Sequence, residues 1–404
     1  MAYQETTKTS YGKNIGNSFK GIFVGIGLIL VATILIFWNE NRAIKTYKAL
    51  NRTQDACVEL PSLATVDPAF NGKTVHCTGI ATTNETLSDP IFGVDINAIS
   101  LSRQVEYYQV VEHSSSTTKD KIGGGTETTT TYTYQNEWVS EPQNSAKFKD
   151  PEHQSDNFVF QVVEERDWQA SVVNFGAYLL PPFAVSSIYG DAAPVVNMSD
   201  ETKAQWNKAI LTSLGLSDTI QANYVSVDNN VVYFGSTPDT PHVGDVRVTF
   251  TYVPTDQEIS LIADVDGNTF QRHADKNGKM VSSVRMGALT ADEMFESMQQ
   301  GNKALTWALR IILLILIIAG FRSVVKILPT LLKVLPFLGK GVDKILGFAC
   351  TIIGFAWTLL FIAIAWIAVR PVLAISLLVV VIALIVWLKL RSKSAEPTET
   401  VEQQ

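Results

Sequence analysis

Residues 21–38 read GIFVGIGLILVATILIFW, eighteen positions without a charge, and residues 304–388 are apolar for most of their length. No other feature limits the fold so tightly. A helix needs roughly 20 apolar residues to cross a bilayer, because every backbone polar group must be satisfied inside the span. Four spans are predicted, at 21–38, 304–321, 345–369 and 371–388. Arg370-Pro371 leaves only a very short turn between the last two, which makes them an antiparallel hairpin. The polar stretch 39–303 holds 265 residues (303 − 38), enough for one large domain or two smaller ones. The expected class is a multi-pass α-helical membrane protein, with one span before and three after a large, strand-rich α+β domain.

The charges predict an orientation. Residues 21–303 carry 19 Lys and Arg against 34 Asp and Glu, a balance of −15 (19 − 34). Residues 1–20 carry +2 (3 − 1) and residues 304–404 carry +6 (10 − 4), which returns the net −7. Cytoplasmic loops are enriched in Lys and Arg. The tail 1–20, the link 322–344 and the tail 389–404 are the basic segments, and four spans place all three on one side. The domain 39–303 then faces a lumen or periplasm. Its acidity argues against a nucleic-acid partner. The first span reads as a signal anchor, since no small-x-small cleavage site follows it and the chain continues Trp38-Asn39-Glu40-Asn41-Arg42.

Within 39–303 the pattern is mixed. Residues 39–51 have helical spacing and extend the first span as a stalk. Residues 100–112 and 126–140 are rich in β-branched and aromatic residues and read as a hairpin whose tip, with Gly123-Gly124-Gly125, is solvated. Residues 164–180 suggest a helix ended by Pro181-Pro182. A clearer helix runs from Asp200 to Leu214, capped by Ser199, with Trp206, Ile210 and Leu214 on one face. Strands return at 225–235, 245–253 and 259–271, with turns at Asn229-Asn230 and Asp266-Gly267. Thr290-Ala-Asp-Glu293 is a capping box opening a helix that can run straight into the second span.

Few residues suggest chemistry. Arg310 lies seven residues beyond Lys303, about 10 Å into the second span at roughly 1.5 Å per residue. A charge at that depth is costly. Snorkelling to the headgroups or a structural pairing is favoured over transport, because one charge does not make an ion path. Lys326, Lys333 and Lys340 recur every seven residues among apolar ones, with Pro329 and Pro336 between. That spacing suggests an interfacial segment attracted to anionic lipids. Cys57 and Cys77 form a disulfide in an oxidising compartment or remain two buried thiols; the sequence leaves both open. The five histidines have no metal-site spacing, and there is no P-loop, Gly-x-Ser-x-Gly or His-Glu-x-x-His. No catalytic, cofactor or metal residue is assigned.

Several short stretches carry a family resemblance. Asn39-Glu40-x-Arg42-Ala43-x-Lys45-Thr46 follows the first span. Leu87-Ser88-Asp89-Pro90, Arg103-x-Val105-Glu106-x-Tyr108-Gln109 and Tyr132-x-Tyr134-x-x-Glu137-Trp138 come next. Val243-Gly244-Asp245-x-Arg247-Val248, Thr306-Trp307-x-Leu309-Arg310, Trp366 and Arg370-Pro371 complete the series. In this order and with this layout, the chain resembles the LUMA, or transmembrane protein 43, family over nearly its full length. Gly123–Gly125 and the Cys57/Cys77 pair fall outside the shared pattern. The resemblance implies a non-enzymatic membrane scaffold that self-associates. Eukaryotic members reside in the endoplasmic reticulum and inner nuclear membrane and bind emerin and lamins; bacterial relatives would sit in an inner membrane. Expected partners are therefore membrane lipids, other membrane proteins and further copies of the chain. A lipid-binding or lipid-sensing protein, or an accessory subunit of a channel, is the alternative.

Overall fold

The structure, a computed structural model, describes residues 2–216, 222–334 and 336–367, and beyond these only 372, 375–376, 379–380, 382–383 and 386. The expected fourth span 371–388 and the tail 389–404 thus fall largely outside the described residues, as do Arg370-Pro371 and the side chain of Lys340. Six helices are described: α1 Tyr11–Ala56, α2 Pro182–Val185, α3 Asp200–Ser213, α4 Ala291–Val325, α5 Ile327–Leu332 and α6 Pro336–Trp366. Three are long and apolar enough to cross a membrane: α1, α4 and, from Gly341, α6.

The chain divides into two compact units. The first comprises residues 1–5, 49–115 and 130–298 and is strand-rich. Val94–Asp120 pairs antiparallel with Val246–Pro254, setting Val105 opposite Val248. Gln257–Asp266 pairs antiparallel with Thr74–Thr82, setting Leu261 opposite Cys77. Burial alternates along Val246–Pro254, which sends one side into a core, whereas Gln257–Asp266 is buried on both faces from Ile259 to Ala263. One core gathers Val105, Val248, Phe250 and Phe92, with Ile210 of α3 over them. The other gathers Val75, Phe175, Leu261 and Phe270. A third cluster joins Leu50 at the end of α1 and Met294 and Phe295 at the start of α4 to Ile262 and Val281.

The turn chemistry forms as expected. Asn229, at φ 49°, makes the turn between Val225–Asp228 and Val231–Phe234, and Gly267, at φ 60°, makes the next. Ser199 caps α3 by accepting from the Thr202 amide at 3.1 Å. The capping box also forms. Thr290 donates its amide to Glu293 at 2.8 Å, the Glu293 amide donates back to the Thr290 hydroxyl at 3.3 Å, and α4 runs unbroken to Val325.

Three expectations are corrected. Residues 164–180 are not helical: they form the short strands Arg166–Gln169, Asn174–Phe175 and Tyr178–Leu179, and only four helical residues follow the prolines. Phe175 and Tyr178 are fully buried in the core, and that burial outweighs the local pattern. The N-terminal tail is not loose, since Tyr3–Thr9 is a strand beside Thr126–Val139 and α1 begins at Tyr11. The hairpin tip 116–129 is not simply solvated. It belongs to the second unit, with residues 6–48 and 299 onward.

In that second unit α1 and α4 pack antiparallel, a register fixed by two glycines. A Cβ on Gly25 would lie 2.6 Å from the Gly320 carbonyl oxygen, and one on Gly320 would lie 2.7 Å from Ile29. In a bilayer such small residues let helix backbones approach closely. Ala32 and Ile36 of α1, Leu313 and Ile317 of α4 and Ile362 of α6 form the shared interior. Thr33 accepts from the Trp357 indole at 3.0 Å, tying α6 to α1.

Candidate functional site

The strongest polar constellation among the spans is centred on Glu40. The same register that brings Gly25 to Gly320 brings Glu40 to Arg310. The Arg310 guanidinium donates to both Glu40 oxygens, each at 2.7 Å, and the Trp366 indole donates to Glu40 Oε2 at 2.6 Å. Arg310 also lies 4.8 Å from the Trp307 ring centre and 5.1 Å from that of Trp366. The Glu40 side chain is 2% exposed and that of Arg310 12%, so this is an ion pair withdrawn from solvent, not a surface pair. One carboxylate thus receives donors from both α4 and α6.

A second polar layer lies beside it. Arg42 donates to Asn39 and Asn302 at 3.3 Å and to the Thr306 hydroxyl at 3.0 Å. Asn39 donates to the Thr306 carbonyl at 3.2 Å, and Asn302 to the Ala43 carbonyl at 3.0 Å. Hydrogen bonds of this kind join helices where water is scarce, because the alternative is an unsatisfied polar group.

Arg310, the residue singled out from sequence, is therefore engaged in a structural pairing. Glu40 was not singled out as its partner. The signal was present: Glu40 is the sole acid in residues 21–48, just beyond the first span. Three stretches quoted for the resemblance, at 39–43, 306–310 and Trp366, meet at this point.

Of the three lysines singled out in the basic link, the structure describes the side chains of two. Lys326 and Lys333 flank α5, the former exposed and without an ion pair among the described residues. Lys333 pairs with Asp120 at 2.9 Å. Around this pair the hairpin tip is fastened. The Gly123 amide donates to the Val334 carbonyl at 3.3 Å, Asn14 donates to the Gly124 carbonyl at 3.1 Å, and Tyr11 donates to the Leu331 carbonyl at 3.0 Å. Gly124, at φ 80°, lies against the Tyr11 ring, where a Cβ would come within 2.3 Å. The glycines of the tip thus serve a contact.

Cys57 and Cys77 stand as free thiols. Burial, with Glu59 and Asp264 nearby, pushes the Cys57 thiol up to about 12, and burial pushes Cys77 up as well. Both are therefore held protonated and poorly nucleophilic. Among the described residues no group of three or more His, Cys, Asp or Glu could hold a metal ion.

Comparison with known proteins gives a consistent result. The family model described as Transmembrane protein 43 matches residues 107–371. Transmembrane protein 43 of Mus musculus is 30% identical over 365 residues, covering 88% of this chain and 86% of that protein. The Homo sapiens protein is 29% identical over 401 residues, covering 96% and 94%. A Drosophila melanogaster homolog is 25% identical over 371 residues, covering 90% and 92%. No solved structure matches the chain.

Proposed function

Because this chain belongs to the transmembrane protein 43 family and is a membrane protein, we propose that it is a non-enzymatic scaffold that self-associates and organises membrane protein complexes. The observation that carries this reading is the closure of Arg310 on Glu40 between two indoles. A charge committed in this way locks helices together and is itself not free to coordinate a moving ion. That disfavours a channel subunit.

The excess of Lys and Arg supports a cytoplasmic assignment for the N-terminal tail, the 322–344 link and the C-terminal tail, with a fourth span at 371–388 returning the chain. We assign the strand-rich domain 39–303 to the lumen or periplasm. In a eukaryote the membrane is the endoplasmic reticulum or inner nuclear membrane with emerin- or lamin-type partners; in a bacterium it is the inner membrane. Lys326 and Lys340 are proposed as contacts to anionic lipid, with Lys333 shared between lipid and Asp120.

The test is the mass of the complex released from native membranes in mild detergent. The wild-type chain is expected in an assembly of several copies or with reproducible protein partners, and Arg310→Leu is expected to reduce that mass. A wild-type monomer, or an assembly indifferent to the substitution, would overturn the reading.

A further inference from the structure

Two cavities meet at Arg310. One, of about 290 Å³, has a mixed wall that carries the polar groups of Glu40, Tyr47, Asn302, Lys303 and Thr306. The other, of about 630 Å³, is almost wholly apolar and is lined by Leu314 of α4, by Phe355, Leu359 and Ile362 of α6, and by Ser376 and Val380 beyond it. Trp307, Arg310 and Trp366 line both. The order along α4 is polar cavity, indoles and guanidinium, apolar groove. Lys303 to Leu314 is eleven residues, about 16 Å at roughly 1.5 Å per residue.

We propose that this composite cleft binds one phospholipid, with its phosphate at Lys303 and an acyl chain in the groove between α4 and α6. Charge decides the headgroup. Glu40 and Arg310 neutralise one another, and the remaining cation lining the polar cavity is Lys303, exposed and without an ion pair among the described residues. The cleft therefore presents a net positive charge to an anionic group. The surroundings decide the tail. The groove is cut into membrane-spanning helices, where its apolar wall meets acyl chains. The junction carries Trp307 and Trp366, whose amphipathic rings suit the boundary between headgroup and hydrocarbon. Polar head, boundary and tail are thus met in the sequence a phospholipid offers them.

The experiment uses the full-length chain in mild detergent, delipidated and titrated separately with dioleoyl-phosphatidylglycerol and dioleoyl-phosphatidylcholine, with bound lipid counted by native mass spectrometry. One phosphatidylglycerol per chain is expected, held more tightly than phosphatidylcholine. Lys303→Gln should weaken phosphatidylglycerol about tenfold, the scale of one charge-assisted hydrogen bond. Leu314→Trp, which fills the groove, should weaken both lipids. Equal retention of both lipids, indifference to Lys303→Gln, or no retained lipid would overturn the proposal. Lys303→Gln leaves the Glu40–Arg310 pair intact, so complex mass should not change. Failure of the scaffold reading is therefore distinguishable from failure of this one.

Discussion

At the scale of single residues, the pair Glu40–Arg310 has a one-sided energetics. Removing one partner of a buried pair leaves an uncompensated charge and costs about 3–5 kcal/mol, while replacing both is often nearly neutral. Arg310→Leu is therefore expected to lower the thermal midpoint in detergent sharply. Adding Glu40→Leu should recover much of the loss, and a double variant no better than the single would show that the carboxylate is not the reason. Asp275 offers a contrasting case. Arg52 grips it at 2.8 and 2.6 Å and holds its carboxyl down at about 2. In the unfolded chain the group titrates near roughly 3.9. Its folded pKa is depressed, so its stabilisation is complete above about pH 4 and fades as the pH falls towards about 2. Acid unfolding of Asp275→Asn should lack that part of the pH dependence.

At the scale of elements, the contact between α1 and α4 predicts where a single methyl group matters. Gly25→Ala drives Cβ into the Gly320 carbonyl, and overpacking of this kind costs about 1–3 kcal/mol. Gly27→Ala, with nothing within 4 Å, should be nearly silent. Comparing the two midpoints separates crowding from helix propensity. Elements with strong local signals were readable from the sequence: α3 from Ser199 and its apolar face, α4 from its capping box, and the hairpins from Asn229 and Gly267. The segment 164–180 was not, because its short strands owe their form to Phe175 and Tyr178 entering a core built by distant residues. The candidate site was half legible. Arg310 stood out as a charge among apolar neighbours, whereas Glu40 gained meaning only from the antiparallel register of two helices. Periodicity shows which face of a helix is apolar, not which residue of a distant helix will meet it.

At the scale of the whole molecule, sidedness is the sharpest question. The sequence predicts all of 39–303 across the membrane from 322–344, whereas Asp120 of the tip meets Lys333 and Gly124 meets Tyr11. Cysteine scanning decides the matter. Thr117→Cys in the tip and Lys326→Cys beside α5, both at exposed positions, react with an impermeant maleimide from the same side of sealed vesicles if the tip contact holds in the membrane. Labelling from opposite sides would exclude the tip contact in the membrane. The ion pair has a further consequence, in time. Glu40 precedes Arg310 by 270 residues. At roughly 5–20 residues per second of synthesis, the carboxylate waits tens of seconds for its counter-charge. During that interval it needs water or headgroups, which a position just beyond the first span provides, and a ribosome pausing before Arg310 would prolong the time that the carboxylate depends on them.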